Sequence, residues 1–97
     1  MDDPKARDQW LDDEHRAILG DVRETLDDVE PWDAAHLEPP LQALIERRGA
    51  KPKDVFQPIR VALVGRTVSP GIFETLELVG KAESLGRLDR ALTNARQ

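Results

Sequence analysis

Apolar residues recur three or four positions apart along most of this chain, and no stretch alternates apolar and polar residues at every second position. A spacing of three or four places side chains on one face of an α-helix, whereas strict alternation is typical of a β-strand. The clearest stripe comprises Leu11, Ile18, Val22, Leu26 and Val29. The pattern predicts an all-α fold, a small bundle of about five helices, in which the first helix carries this stripe and is ended by Pro31.

Glycine and proline divide the remaining chain into further helical segments. Because Pro39 and Pro40 remove backbone donors, we expect a short turn at 33–37 and a second helix only at about 38–48. Asp54 has the side chain of an N-cap, which predicts a third helix from there to Gly65. Ser69 followed by proline is typical of a cap and first helical residue, which predicts a helix at about 70–79. The helical spacing of Leu85, Leu88, Leu92 and Ala95 predicts a last helix at about 82–95.

The composition places the chain in a broad class. At 97 residues it is expected to form one domain, residues 1–97, and without cysteine it can form neither a disulfide framework nor a thiolate metal site. No apolar run approaches the roughly 20 residues of a membrane span. These features predict a cytoplasmic domain that does not bind a membrane.

The charges are distributed unevenly, although the net charge is −5. Residues 1–46 carry four basic and fourteen acidic side chains, whereas residues 47–97 carry ten basic and five acidic ones. Such asymmetry is typical of a chain with a nucleic-acid or acidic partner. The alternative is that the two halves attract each other within the fold, and the sequence leaves both explanations open.

The chemistry-bearing residue types form no catalytic or metal-binding pattern. His15 and His36 stand alone, without a second ligand at metal spacing, so we expect surface or interface positions for both. Trp10 and Trp32 occur where core packing explains them better than base stacking. Ser69 has no histidine partner in the pattern, and no phosphate-binding glycine loop occurs, so independent catalysis and a bound cofactor are not expected.

The loop from Gly65 to Gly71, together with Arg60 on the preceding helix, could instead read a polar ligand. RNA sequence is read mostly on splayed single-stranded bases, and an arginine offers a planar fork of donors for this purpose. A glycine allows close approach of the backbone, and a helix start offers free N–H groups. The alternative is a buried Arg60 that pairs with Glu74 or Glu77 beside a loop that only connects two helices.

The segment around this loop resembles the C-terminal anticodon-binding domain of bacterial glutamyl-tRNA synthetases. The resemblance is strongest over about residues 51–92 and extends more weakly back to about residue 8. The stretches that carry it are Lys51-Pro52, Phe56-Gln57-Pro58-Ile59-Arg60-Val61-Ala62-Leu63, Gly65, Ser69-Pro70-Gly71, Phe73-Glu74, Gly80-Lys81 and Arg87-Leu88.

The resemblance implies a helical cage that receives the unstacked anticodon of glutamate tRNA. Carried over by position, Arg60, Ser69, Pro70 and Ile72 would contact the bases, with serine where threonine is also seen and isoleucine where leucine is common. With two further loop residues, the expected RNA-binding set is Arg60, Arg66, Ser69, Pro70, Gly71 and Ile72.

The resemblance also implies what the rest of a synthetase would supply. The family's ATP-site motifs and catalytic domain have no counterpart in these 97 residues, so we expect a non-catalytic C-terminal fragment of a larger ligase that uses ATP and Mg. The expected partner is tRNA, not DNA, and the expected state is a monomer. A different class of function remains open at this point, namely a free-standing helical adaptor that binds a protein through the acidic N-terminal half.

Overall fold

The computed structural model describes residues 4–65, 67 and 71–94, and every regular element within them is an α-helix. The helices are α1 (Pro4–Trp10), α2 (Asp13–Asp27), α3 (Ala34–Arg48), α4 (Pro52–Val64), α5 (Ile72–Val79) and α6 (Lys81–Asn94). The predicted all-α bundle is therefore confirmed, with six helices among the described residues where about five were expected. None of these helices is both long and apolar enough to cross a membrane.

The first predicted helix is in fact two helices, because the helical conformation is interrupted at Leu11 and Asp12. Asp12 has an extended backbone and its carboxylate accepts a hydrogen bond from the His15 N–H, so it is the N-cap of α2. Leu11 is nevertheless 3% exposed, and Val29, beyond the end of α2, is 6% exposed. The apolar stripe correctly predicted burial, while the cap within it was missed.

The expected turn at 33–37 is wrong, because α3 runs without interruption from Ala34 through Pro39 and Pro40. Asp33 caps its start, and buried leucines on one face hold the helix in the core. The two prolines leave unpaired the carbonyl groups of residues 35 and 36, which lie on the exposed side. Water can satisfy those carbonyl groups, so the helix tolerates both prolines.

Two further helix starts differ from the prediction. Lys51, and not Asp54, stands at the N-cap of α4, with Pro52 at the first helical position. Gly71 is the N-cap of α5, and the helix begins at Ile72, two residues after the expected start at residue 70. The predicted stops at Gly49 and Gly65 are confirmed, and both adopt the left-handed conformation, with φ of 64° and 78°.

Helix α2 lies at the centre of the packing and contacts α3, α4 and α6. Helix α5 contacts α3, α4 and α6, so the connection between α4 and α5 joins two elements anchored in one core. Phe56 and Phe73 meet edge to face across this pair of helices, with ring centroids 5.7 Å apart. Trp32 also secures α5, because its Nε1–H donates a hydrogen bond of 2.7 Å to the Leu76 carbonyl.

Candidate nucleic-acid interface

Helix α4 carries a polar stripe that ends near its C-terminus. Lys53, Gln57 and Arg60 are separated by four and three residues, and this spacing places them on one face of the helix. The Arg60 guanidinium is half-buried, and its Nη1 donates a hydrogen bond of 3.2 Å to Gln57 Oε1. Gln57 thus restricts Arg60 from one turn below. The sequence analysis did not predict this pair, although a separation of three residues on a helix allows it.

Helix α5 begins on the other side of the connection that joins it to α4. Helix geometry leaves the N–H groups of Ile72, Phe73 and Glu74 without intrahelical acceptors, and Gly71 has no side chain that could accept from them. Thr75 fixes the cap, since both its N–H and its hydroxyl donate to the Gly71 carbonyl, at 2.9 and 3.0 Å. The start of α5 can therefore donate hydrogen bonds to an electron-rich group.

The predicted contact residues have different positions in the structure. Arg60 is half-buried, Gly71 is exposed, and both Glu74 and Glu77, which were considered as partners of Arg60, are exposed. The side chain of Ile72 is only 5% exposed and belongs to the core, so the backbone of this residue is its available part. Arg66, Ser69 and Pro70 lie outside the described residues.

Ion pairs connect the acidic and the basic half of the chain. Arg48 pairs with Asp21, and Lys81 donates to the Val29 carbonyl at 2.9 Å and lies 3.5 Å from a Glu30 oxygen. Attraction between the two halves within the fold therefore accounts for part of the charge asymmetry.

The C-terminus of α4 is held by an arginine of α6. Arg87 Nη1 donates a hydrogen bond of 2.6 Å to the Leu63 carbonyl, while its Nε donates to Glu83 at 2.8 Å. The hydrogen bond from Arg87 lowers the pKa of the Glu83 carboxyl below its usual value. Arg87 is thus engaged within the fold, close to the point where α4 ends.

The histidines and tryptophans do not form a catalytic or metal centre. His15 contacts Asp12 and Asp54 and meets Trp10 edge to face, with ring centroids 5.1 Å apart. Within residues 4–65, 67 and 71–94, no group of three His, Asp or Glu side chains could hold a metal ion. Trp10 is buried and Trp32 is half-buried against the core, as the sequence predicted.

An open cleft of about 240 Å³ occurs at the C-terminal end of α2. Its lining consists of Thr25, Asp28, Val29, Glu30, His36 and Pro40. Two carboxylates in this lining would repel a phosphate, so the cleft does not suit an RNA backbone.

Comparison with known proteins shows what the chain is similar to in sequence. A family model described as an anticodon binding domain matches residues 2–92. A glutamate–tRNA ligase of Rhodopseudomonas palustris is 49% identical over 86 residues, which cover 89% of this chain and 18% of that protein. Glutamate–tRNA ligase 2 of Rhodospirillum rubrum is 47% identical over 93 residues, or 96% of this chain and 20% of that protein.

A solved structure shares the fold. The glutamate tRNA ligase of Elizabethkingia meningosepticum, solved in complex with its amino acid, matches with a TM-score of 0.88 over 96% of this chain and 18% of its own length, at 24% identity. The chain therefore spans about a fifth of the length of the curated relatives it matches.

Proposed function

The chain belongs to the anticodon binding domain family, and from this premise we propose that it binds the anticodon loop of glutamate tRNA as the anticodon-binding part of a glutamate–tRNA ligase. The observation that carries the proposal is the position of Arg60 within the matched region. Its planar donor group is half-buried on the polar stripe of α4 and hydrogen-bonded to Gln57. Such a restricted guanidinium loses little side-chain entropy when it binds a base.

Recognition in this proposal combines two sources of donors. Arg60 offers its fork to the edge of an unstacked base, and the first turn of α5 offers backbone N–H groups to a second acceptor. Gly71 is exposed and has no Cβ, so a base can approach the backbone there closely. We include Arg66, Ser69, Pro70 and Ile72 in the proposed contact set because the family resemblance assigns base contacts to this loop.

The remaining functions of such a ligase would belong to parts of a longer protein. Activation of glutamate with ATP and Mg would take place in a catalytic domain, whereas these 97 residues would bind tRNA and hold no cofactor. We propose that the domain acts as a monomer in the cytoplasm and contacts neither DNA nor a membrane.

The relatives favour this proposal over the protein adaptor. The acidic N-terminal residues also have roles within the fold, because Asp12 caps α2 and Asp13 pairs with Arg16. Charge reversal at these two positions would remove the cap and the ion pair, so a loss of partner binding in that variant would not separate a binding role from a structural one.

The proposal is tested by NMR titration of the labelled domain with a synthetic anticodon stem-loop of glutamate tRNA, compared with a stem-loop whose third anticodon base is changed. We expect shifts at Arg60, Gly71 and Ile72 that are weaker with the altered loop. Arg60→Gln should weaken binding roughly 5- to 150-fold, because a good bidentate base contact contributes about 1–3 kcal/mol.

Arg90→Gln is the matched control, because Arg90 is an exposed arginine on α6 and its pairing partner is Glu83. This variant should bind as the wild type does. Equal binding of both stem-loops, or equal affinity of the Arg60 and Arg90 variants, would refute anticodon reading by this domain.

A further inference from the structure

Most cations in the described part of the chain are engaged by acceptors of the fold. Besides Arg48, Lys81 and Arg87, the guanidinium of Arg23 donates to Asp89 at 2.8 Å and lies 3.3 Å from Asp27. Three cations differ from these, because they are exposed and have no ion pair or side-chain hydrogen bond to any described residue. They are Arg47, Lys51 and Lys53.

These three cations, here termed the basic junction, lie where α3 ends and α4 begins. Residues 47–53 contain four basic side chains and no acidic one, and only Arg48 among them is paired, with Asp21. Like charges held this close repel one another, and none of the three is paired with an acidic side chain of the described residues. Cations without such a partner are available to an anionic ligand, even though the chain as a whole carries a net charge of −5.

The basic junction is continuous with the proposed base-reading position. Lys53 and Arg60 are seven residues apart, which places them on the same face of α4, about 10 Å from each other along the helix axis. Gln57 lies between them on this face. A single RNA strand running along α4 can therefore present a base to Arg60 and backbone phosphates to the junction.

We propose that Arg47, Lys51 and Lys53 bind backbone phosphates of the RNA strand whose base is read by Arg60. This inference rests on the proposed function and adds a second contact area of different chemistry. Phosphate contacts position an RNA without reading its sequence, and they make its binding dependent on salt. The junction therefore supplies affinity and register, whereas Arg60 supplies discrimination between bases.

The test compares Lys51→Gln/Lys53→Gln with the control Lys5→Gln/Arg90→Gln. Both double variants remove two exposed cations and change the net charge equally, but the control does so on α1 and α6. Affinity for the cognate and the altered stem-loop is measured by fluorescence anisotropy at several salt concentrations. Thermal unfolding of each variant shows whether the fold is intact.

We expect the junction variant to bind both stem-loops more weakly by the same factor, so that the ratio of the two affinities is kept. The slope of log affinity against log salt should become shallower by about 1.4, or roughly 0.7 for each single-strand phosphate that the variant no longer neutralises. The control should keep the slope of the wild type. A junction variant with the slope of the control would overturn the proposed phosphate contacts while leaving anticodon reading intact, whereas equal wild-type affinity for both stem-loops would overturn the proposed function itself.

Discussion

Asp54 Oδ1 lies 3.2 Å from His15 Nε2 and so joins the first turn of α4 to the first turn of α2. The other ring nitrogen of His15 lies 2.7 Å from Asp12, which caps α2. One imidazole ring is thus held between two carboxylates, at a side-chain exposure of 14%.

This arrangement predicts a loss of stability at alkaline pH. Burial lowers the pKa of His15, but the hydrogen bonds and charges of Asp12 and Asp54 outweigh burial, and the pKa is raised above 6.5. A raised pKa means that the stabilisation is complete below pH 6.5 and is lost as the pH rises through the value in the folded state. The urea midpoint should therefore fall as the pH rises above 6.5, and His15→Gln should lose this dependence.

His36→Gln is the matched control, because His36 contacts its cap Asp33 at 2.7 Å without joining two helices. This variant should lose stability at alkaline pH as the wild type does. If His15→Gln keeps the pH dependence of the wild type, the link between α2 and α4 is not the cause of the alkaline loss of stability.

At acid pH, the backbone hydrogen bond from His15 lowers the pKa of Asp12 below 3.8. The stabilisation from this cap is therefore lost only as the pH falls through that lowered value.

Two leucines of α5 provide a direct measure of how much the core depends on this helix. Leu76 is 0% exposed and Leu78 is 83% exposed, although they are two residues apart. Leu76→Ala should lower the free energy of unfolding by about 2–5 kcal/mol, because it leaves a cavity. Leu78→Ala should change it by less than about 0.5 kcal/mol. Urea denaturation measures both, and similar losses would mean that α5 does not pack as described.

The sequence predicted the core and the helix stops better than the helix starts. The positions of Leu26, Leu44 and Leu88 follow from spacing, and glycine ends α3 and α4 because it adopts a positive φ at no steric cost. The family resemblance was likewise confirmed by the matched domain family and the curated relatives.

Helix starts and side-chain pairs depended on contacts that the sequence does not display. Asp54 has the side chain of a cap, but His15, 39 residues earlier, engages it. Gln57 was not predicted to contact Arg60, which is its hydrogen-bond partner in the structure. The basic junction is also not apparent from the sequence, because the sequence does not show which cations have partners in the fold.

Two prolines in helix interiors predict different consequences of the same substitution. Pro39 is exposed in α3, so Pro39→Ala restores a backbone donor without loss of packing and should stabilise the domain by about 1 kcal/mol or more. Pro58 in α4 is fully buried, so its replacement by alanine also removes two buried methylene groups, at about 0.8 kcal/mol each. Thermal unfolding should place Pro39→Ala above Pro58→Ala, and the reverse order would contradict the continuous α3.

Gly71 separates the stability of the α5 cap from its accessibility to RNA. A Cβ on Gly71 would lie 2.8 Å from Glu74 Oε1, the far end of an exposed and flexible side chain, so Gly71→Ala should change the unfolding free energy by less than about 1 kcal/mol. The added methyl group would nevertheless occupy the surface that a base must approach. We therefore expect weaker binding of the cognate stem-loop at nearly unchanged thermal stability, whereas Gly86→Ala, whose Cβ would meet Arg90 Nη1 at 3.8 Å, should bind as the wild type does. The double variant Gly71→Ala/Glu74→Ala removes the crowding by Glu74. If the double variant binds RNA as well as Glu74→Ala alone, the displaced carboxylate, and not the methyl group, had blocked the RNA.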